Sequence, residues 1–318
     1  MTRATPQPSL AGAGLVTLAA ICFGTLGPVT RFADDAGVGS LAIVTWRAAI
    51  GGTVMLLLLL VLQRAVGRRT LALGEVPRRD RWFMGGATLA NLVLNLAMFI
   101  AFLRIEIGLS LLVFYTYPAF VALISVAWFG DRMDSIRWGA LGLSMVGLVL
   151  TLAGAGDIGS LDALGLGLSF VAALAQAFYV LAARHGFAHV PPIEAAATTM
   201  TGAAMGYVAI ALFTGGLAGL AAPAASSAAL LPVLAAGFVG AAIPTLCFIT
   251  GIRLLGAPRA AILSTLEPVV GVLLAALLLS EQPSGLQLFG GALILVAAVL
   301  LQVGGRGGAA GHEAVAEA

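Results

Sequence analysis

Residues 111–131 read LLVFYTYPAFVALISVAWFGD, and residues 261–281 read AILSTLEPVVGVLLAALLLSE. Laid over each other at a shift of 150 (261 minus 111), they bring Pro118 onto Pro268 and Asp131 onto Glu281. With a one-residue gap, Phe99-Ile100 and Arg104 upstream match Phe248-Ile249 and Arg253, and downstream Trp138-Gly139 match Phe289-Gly290. Each stretch supplies the roughly twenty apolar residues that a helix needs to cross about 30 Å of hydrocarbon. The repeat therefore reads as a copied set of membrane helices, each copy interrupted by a proline at mid-depth.

A scan for such runs returns ten spans, near 10–30, 40–62, 82–103, 107–129, 138–155, 164–183, 193–215, 230–251, 257–280 and 286–303. Each copy holds five, an odd number, so the second enters the bilayer from the opposite side. Two halves so related can open alternately to either face. Composition points the same way, with 60% of the 318 residues hydrophobic and 9% charged, against about a quarter charged in a soluble domain. The first run, Leu10 to Thr30, exceeds the apolar core of a cleaved signal peptide and reads as the first span.

All sixteen basic residues are arginine, which with 41 glycines suggests GC-rich coding and a bacterial source. With the N-terminus inside, Arg3, Arg64, Arg68, Arg69, Arg78, Arg79, Arg81, Arg132, Arg137, Arg184, Arg253, Arg259 and Arg306 are cytoplasmic, thirteen against Arg31 and Arg104 outside. Retained positive charge marks the cytoplasmic face. The expected arrangement is thus an all-α integral membrane protein of ten transmembrane helices as two inverted five-helix repeats. Its parts are a cytoplasmic tail (1–9), the repeats (10–155 and 161–303) and a disordered cytoplasmic tail (304–318). The connector 63–81, QRAVGRRTLALGEVPRRDR, is a solvated loop that can also meet anionic lipid.

Pro118 and Pro268 each remove a backbone donor, which leaves the carbonyls of Phe114 and Ser264 without their helical partners. Freed carbonyls at that depth are tolerated beside a polar cavity or a neighbouring helix, so both prolines are candidate gating kinks or, more simply, packing kinks. Glu267 immediately precedes Pro268, where an ionised carboxylate costs about 2.5–3.5 kcal/mol. It can take a proton, bind a cation or stand as a protonated structural group. Its helical face also carries Ser264, and Tyr117 occupies the corresponding position in the first copy.

Asn91 and Asn95, one turn apart, suit a polar substrate or interhelical bonding alike. Thr245 beside Pro244, and Gln176 and Tyr179, are lesser candidates of the same kind. Arg47, about two turns inside its span, can meet a substrate carboxylate, pair with an acid such as Glu267, or extend outward to water. Gly139, Gly142, Gly147 and Gly290-Gly291 permit close helix contact.

Cys22 and Cys247 read as small core residues, and His185, His189 and His312 are too scattered for a metal site. No hydrolase, zinc-protease, nucleotide-loop or dinucleotide motif is present, so neither catalysis nor ATP-driven pumping gains support. No metal, cofactor or nucleic-acid partner is expected.

These features resemble the drug/metabolite transporter superfamily, specifically its EamA type. The residues that carry the resemblance are FGTLGP (23–28), Arg47, YTYPAFVALISVAWFGDR (115–132) and LSTLEPVVGVLLAALLLSEQP (263–283). The first copy departs conservatively, with Gly-Asp-Arg where the family more often has Gly-Glu-Arg. The resemblance implies a cavity lined by spans one to four and six to nine, and often export of amino acids or related metabolites. The reading is a secondary transporter of small polar molecules in a bacterial inner membrane, with both termini cytoplasmic and proton coupling one use of Glu267. A passive channel, a non-transporting sensor and an exporter of drugs or other metabolites are the alternatives. Cargo, direction and oligomeric state are not legible from these motifs.

Overall fold

The computed structural model describes residues 10–66, 76–102, 104, 105, 107–131, 133–154, 162–224, 226–279 and 282–316. The N-terminal tail, residues 67–75 of the 63–81 connector, Arg132 and Glu281 lie outside the described residues. Within them every regular element is helical. That follows from the solvent, because a helix satisfies its own backbone hydrogen bonds where water is absent.

The first span is two helices, α1 (Leu10–Gly24) and α2 (Leu26–Asp35), parted at Thr25. Then come the long α3 (Ser40–Val66) and α4 (Arg78–Phe102). A second break at Tyr115 and Thr116 separates α5 (Ile107–Phe114) from α6 (Tyr117–Phe129), which ends at Gly130 with φ 67°. After α7 (Ser135–Ala153), α8 (Ala163–Leu181) finishes in a wide π turn, Ala182–Gly186.

Next come α9 (Pro192–Thr214) and a 3-10 stretch, Gly216–Ala224. A π turn at Phe238–Ala242 joins α10 (Ser227–Gly237) to α11 (Ile243–Leu255). The third break, at Ser264 and Thr265, divides α12 (Ala257–Leu263) from α13 (Leu266–Leu279), and α14 (Gly285–Ala316) closes the chain. The helical backbone of α14 runs past Gly304 to Ala316.

Among the described residues eight segments are long and apolar enough to cross a membrane, and Gly285–Leu301 is a shorter apolar helix. The outer surface carries large apolar side chains in the open, including Phe213 and Leu277. Such a surface suits lipid and would drive aggregation in water.

The main packed pairs are α7 with α14, α3 with α9, α4 with α8, and α1 with α11. Small residues set these distances. A Cβ on Gly290 would lie 2.5 Å from the Gly147 carbonyl oxygen, so the backbones of α7 and α14 touch directly. Gly139 and Gly142 have open space where a Cβ would stand, so the close contact on α7 falls to Gly147 alone.

Candidate functional site

The three helix breaks meet near the centre of the bundle. At each a hydroxyl folds back onto a carbonyl of the preceding turn: Thr25 onto Cys22 (2.7 Å), Thr116 onto Val113 (2.6 Å) and Thr265 onto Ile262 (2.7 Å). Proline follows in the first turn of each continuing helix, at Pro28, Pro118 and Pro268. The expectation of a partnerless Ser264 carbonyl is corrected here. Because Pro268 cannot donate, the chain tightens and the Glu267 N–H reaches that oxygen at 3.0 Å. Gly24 lets the first break sit directly on the third, since a Cβ there would stand 2.7 Å from Val270 and 3.0 Å from the Glu267 carbonyl oxygen.

Around these breaks the polar side chains converge. Glu267, half-buried in the first turn of α13, lies beside the Tyr115 hydroxyl. Tyr117 is buried, and its hydroxyl shares a hydrogen bond with Ser264 and lies beside Gln176 of α8. Arg47 of α3 donates through Nη2 to Asn95 Oδ1 at 2.7 Å, and the Asn95 amide donates to the Asn91 carbonyl oxygen at 2.8 Å. Tyr207 of α9 joins that pair by donating to the same carbonyl at 3.4 Å. Arg47 and Glu267 lie near enough for each to feel the other's charge. Among the described residues no ion pair joins them.

The structure therefore brings together Glu267, Tyr117, Ser264, Gln176, Arg47, Asn91 and Asn95. Thr245 is buried on α11, and among the described residues its hydroxyl makes no bond to this cluster. Tyr179 is buried elsewhere, beside Thr199 and Arg253. Tyr115 and Tyr207 belong to the cluster and were not singled out from the sequence. Their signal is burial of all four tyrosines of the chain, where a membrane protein usually places such rings at its interfaces.

Burial is unequal on the two sides of Glu267. Toward the arginine-rich end, α12 is buried along its length except at Arg259, and Ser264 and Thr265 are buried after it. In the other direction Val270, Gly271 and Val272 are half-buried and Leu273 is exposed. The buried end is also tied across helices. The Arg253 guanidinium donates to the carbonyls of Val190, Phe187 (3.1 Å) and Ala183 (3.4 Å), and Arg184 donates to the Arg253 carbonyl.

His185 stacks flat on Phe129 with ring centres 4.0 Å apart, and its Nε2 lies 3.6 Å from Asp131. Burial would push the Asp131 carboxyl up, but the neighbouring His185, with the Arg184 charge and Ser125, outweighs it and holds Asp131 below its ordinary value. At the opposite end Asp162 caps α8, accepting from Leu164 N at 2.7 Å and Gly165 N at 3.2 Å, and pairs with Arg104 at 3.0 Å. Those backbone donors, Gly165 first, and Arg104 hold its carboxyl low.

The arrangement offers one cation, one carboxyl, phenol hydroxyls and amides at the meeting point of broken helices. It can hold a small molecule bearing both charges, and it contains no activated nucleophile. Comparison with known proteins points to a transporter family. The sequence profile of the EamA-like transporter family matches residues 10–153 and 163–303. A protein of Synechocystis sp. named as an uncharacterized transporter is 28% identical over 258 residues, covering 78% of this chain and 76% of its own. A protein of known crystal structure superposes with a TM-score of 0.76 at 21% identity, over 93% of this chain and 97% of that one, and so shares the fold.

Proposed function

This chain belongs to the EamA-like transporter family, and on that premise we propose that it is a secondary transporter exporting amino acids or closely related zwitterions by alternating access. The observation that carries the reading is the separate engagement of Arg47 by Asn95 and of Glu267 by Tyr115. Opposite charges held apart by neutral partners leave each free to exchange that partner for a ligand. An α-carboxylate suits Arg47, whose fork matches it bidentately. An α-ammonium suits Glu267, with the tyrosine hydroxyls completing its shell.

The proposed architecture is ten spans in two inverted halves, the first covering 10–155 and the second 161–303, with both termini cytoplasmic in a bacterial inner membrane. The packing supports it. Exchanging the halves turns the α1–α11 contact into α4–α8 and the α6–α8 contact into α1–α13, and it leaves α3–α9 and α7–α14 as self-matched pairs. In this reading the conformation is closed at the arginine-rich cytoplasmic end and accessible from outside. Pro118 and Pro268 then mark the pivots about which the two arrangements differ, and Glu267 is free to carry a proton on the return.

Ligand-induced thermal stabilisation of purified protein tests the cargo class. Free amino acids raise the melting temperature, whereas their amides, which lack the carboxylate, and their N-acetyl forms, which lack the ammonium, do not. Equal stabilisation by all three would refute zwitterion recognition at this site.

A further inference from the structure

Away from the central cluster, an apolar groove of about 340 Å³ opens on the outside of the bundle between α4, α6 and α8. Its lining includes Phe83, Trp128, Phe129, Leu174 and Phe178, and no polar side chain contributes to it. Trp128 is 78% exposed, and Leu174 and Phe178 are exposed beside it, so the groove faces the surroundings of the bundle. Stacking of Phe83 on Phe178, with ring centres 6.3 Å apart, makes one wall rigid.

The end of the groove carries charge of one sign. The Arg79 guanidinium lies 5.6 Å from the centre of the Phe83 ring, so the wall and the charge are in contact. Arg78, Arg79 and Arg81 are all exposed, and among the described residues no carboxylate lies within ion-pair distance of them. Asp80, the acid within that run, is buried and held by His189 at 3.0 Å. The nearby Asp131 is matched by His185 and Arg184. What remains is the Arg79 charge at the end of an apolar slot, with Arg78 and Arg81 exposed on the same turn of α4.

We propose that this groove binds an anionic phospholipid, one acyl chain lying between α4, α6 and α8 and the headgroup phosphate over Arg79 and its neighbours. The occupant follows from charge complementarity joined to an all-apolar lining, a combination that only an amphiphile with an anionic head satisfies. A zwitterionic phospholipid offers the same chain but places a cation among the arginines. A polar cargo finds no partner in the lining, and the cluster around Glu267 is built for it instead.

Native mass spectrometry of delipidated protein, titrated with phosphatidylglycerol or with phosphatidylcholine of the same chains, reads the site. Wild type binds phosphatidylglycerol more tightly, and Arg79→Gln with Arg81→Gln weakens it by about fivefold per arginine. Arg64→Gln, an exposed arginine at the same end outside the lining, leaves that preference intact. In intact protein, phosphatidylglycerol with brominated chains quenches tryptophan fluorescence, and Trp128→Phe removes most of the quenching. Equal affinity for the two lipids, a preference that survives the double substitution, an equal loss in Arg64→Gln, or quenching indifferent to Trp128 would each overturn the proposal.

Discussion

A carboxyl group inside an apolar helix is tolerable only where donors reach it, and Glu267 has the Tyr115 hydroxyl beside it with the Arg47 charge in view. If Arg47 holds the substrate carboxylate, Arg47→Gln raises the KM for transport about 10- to 100-fold, the worth of one charge-assisted hydrogen bond. An unchanged KM in reconstituted vesicles would confine Arg47 to packing against Asn95. At the buried end, the Asp131 carboxyl is held low in the folded protein. Its contribution to stability is therefore present above the ordinary value of 3.8 and lost as pH falls through the lowered one. Asp131→Asn consequently lowers the melting temperature at neutral pH, and the difference from wild type shrinks as the pH is taken below that value. A difference that stays constant with pH would contradict it. Glu267 and Arg47 were legible in the sequence because an ionisable group stands out in an apolar run. Tyr115 was not, because Tyr117 occupies the position matching Glu267 in the repeat. Only the break at Tyr115 and Thr116 decides which phenol meets the carboxylate.

Elements are shaped here by where the backbone must open and where it must approach. The breaks at Tyr115 and Thr116 and at Ser264 and Thr265 were legible from Pro118 and Pro268. The break at Thr25 carries the same proline signal in Pro28, but hydropathy averages across it and returns one continuous run. Close approach is harder to read, since glycine spacing alone does not say which residue meets a neighbour. Gly139, Gly142 and Gly147 look alike in sequence, yet only Gly147 lies against α14, where its carbonyl and Thr151 crowd Gly290. Gly290→Ala accordingly destabilises the protein by about 1–3 kcal/mol, the usual cost of overpacking. Gly139→Ala at an open position is neutral or slightly stabilising. Thermal unfolding in detergent compares the two, and equal effects would show that the α7–α14 contact yields without cost.

At the scale of the molecule, the site lies where broken helices from both halves of the chain meet, closed toward the end that Arg253 ties across helices. The long apolar runs already implied a multi-pass protein of a bilayer. The partners chosen across the centre depend on which helix faces turn toward each other, which no periodicity in the sequence specifies. Counterflow in proteoliposomes tests the central claim most directly. Vesicles are loaded with a pool of unlabelled amino acids, and entry of each labelled one is followed for wild type and for Glu267→Gln. The account predicts transient accumulation of one chemical class in wild type and its loss in Glu267→Gln. Absence of counterflow across the pool in correctly folded and oriented protein, or counterflow undiminished by Glu267→Gln, would contradict it.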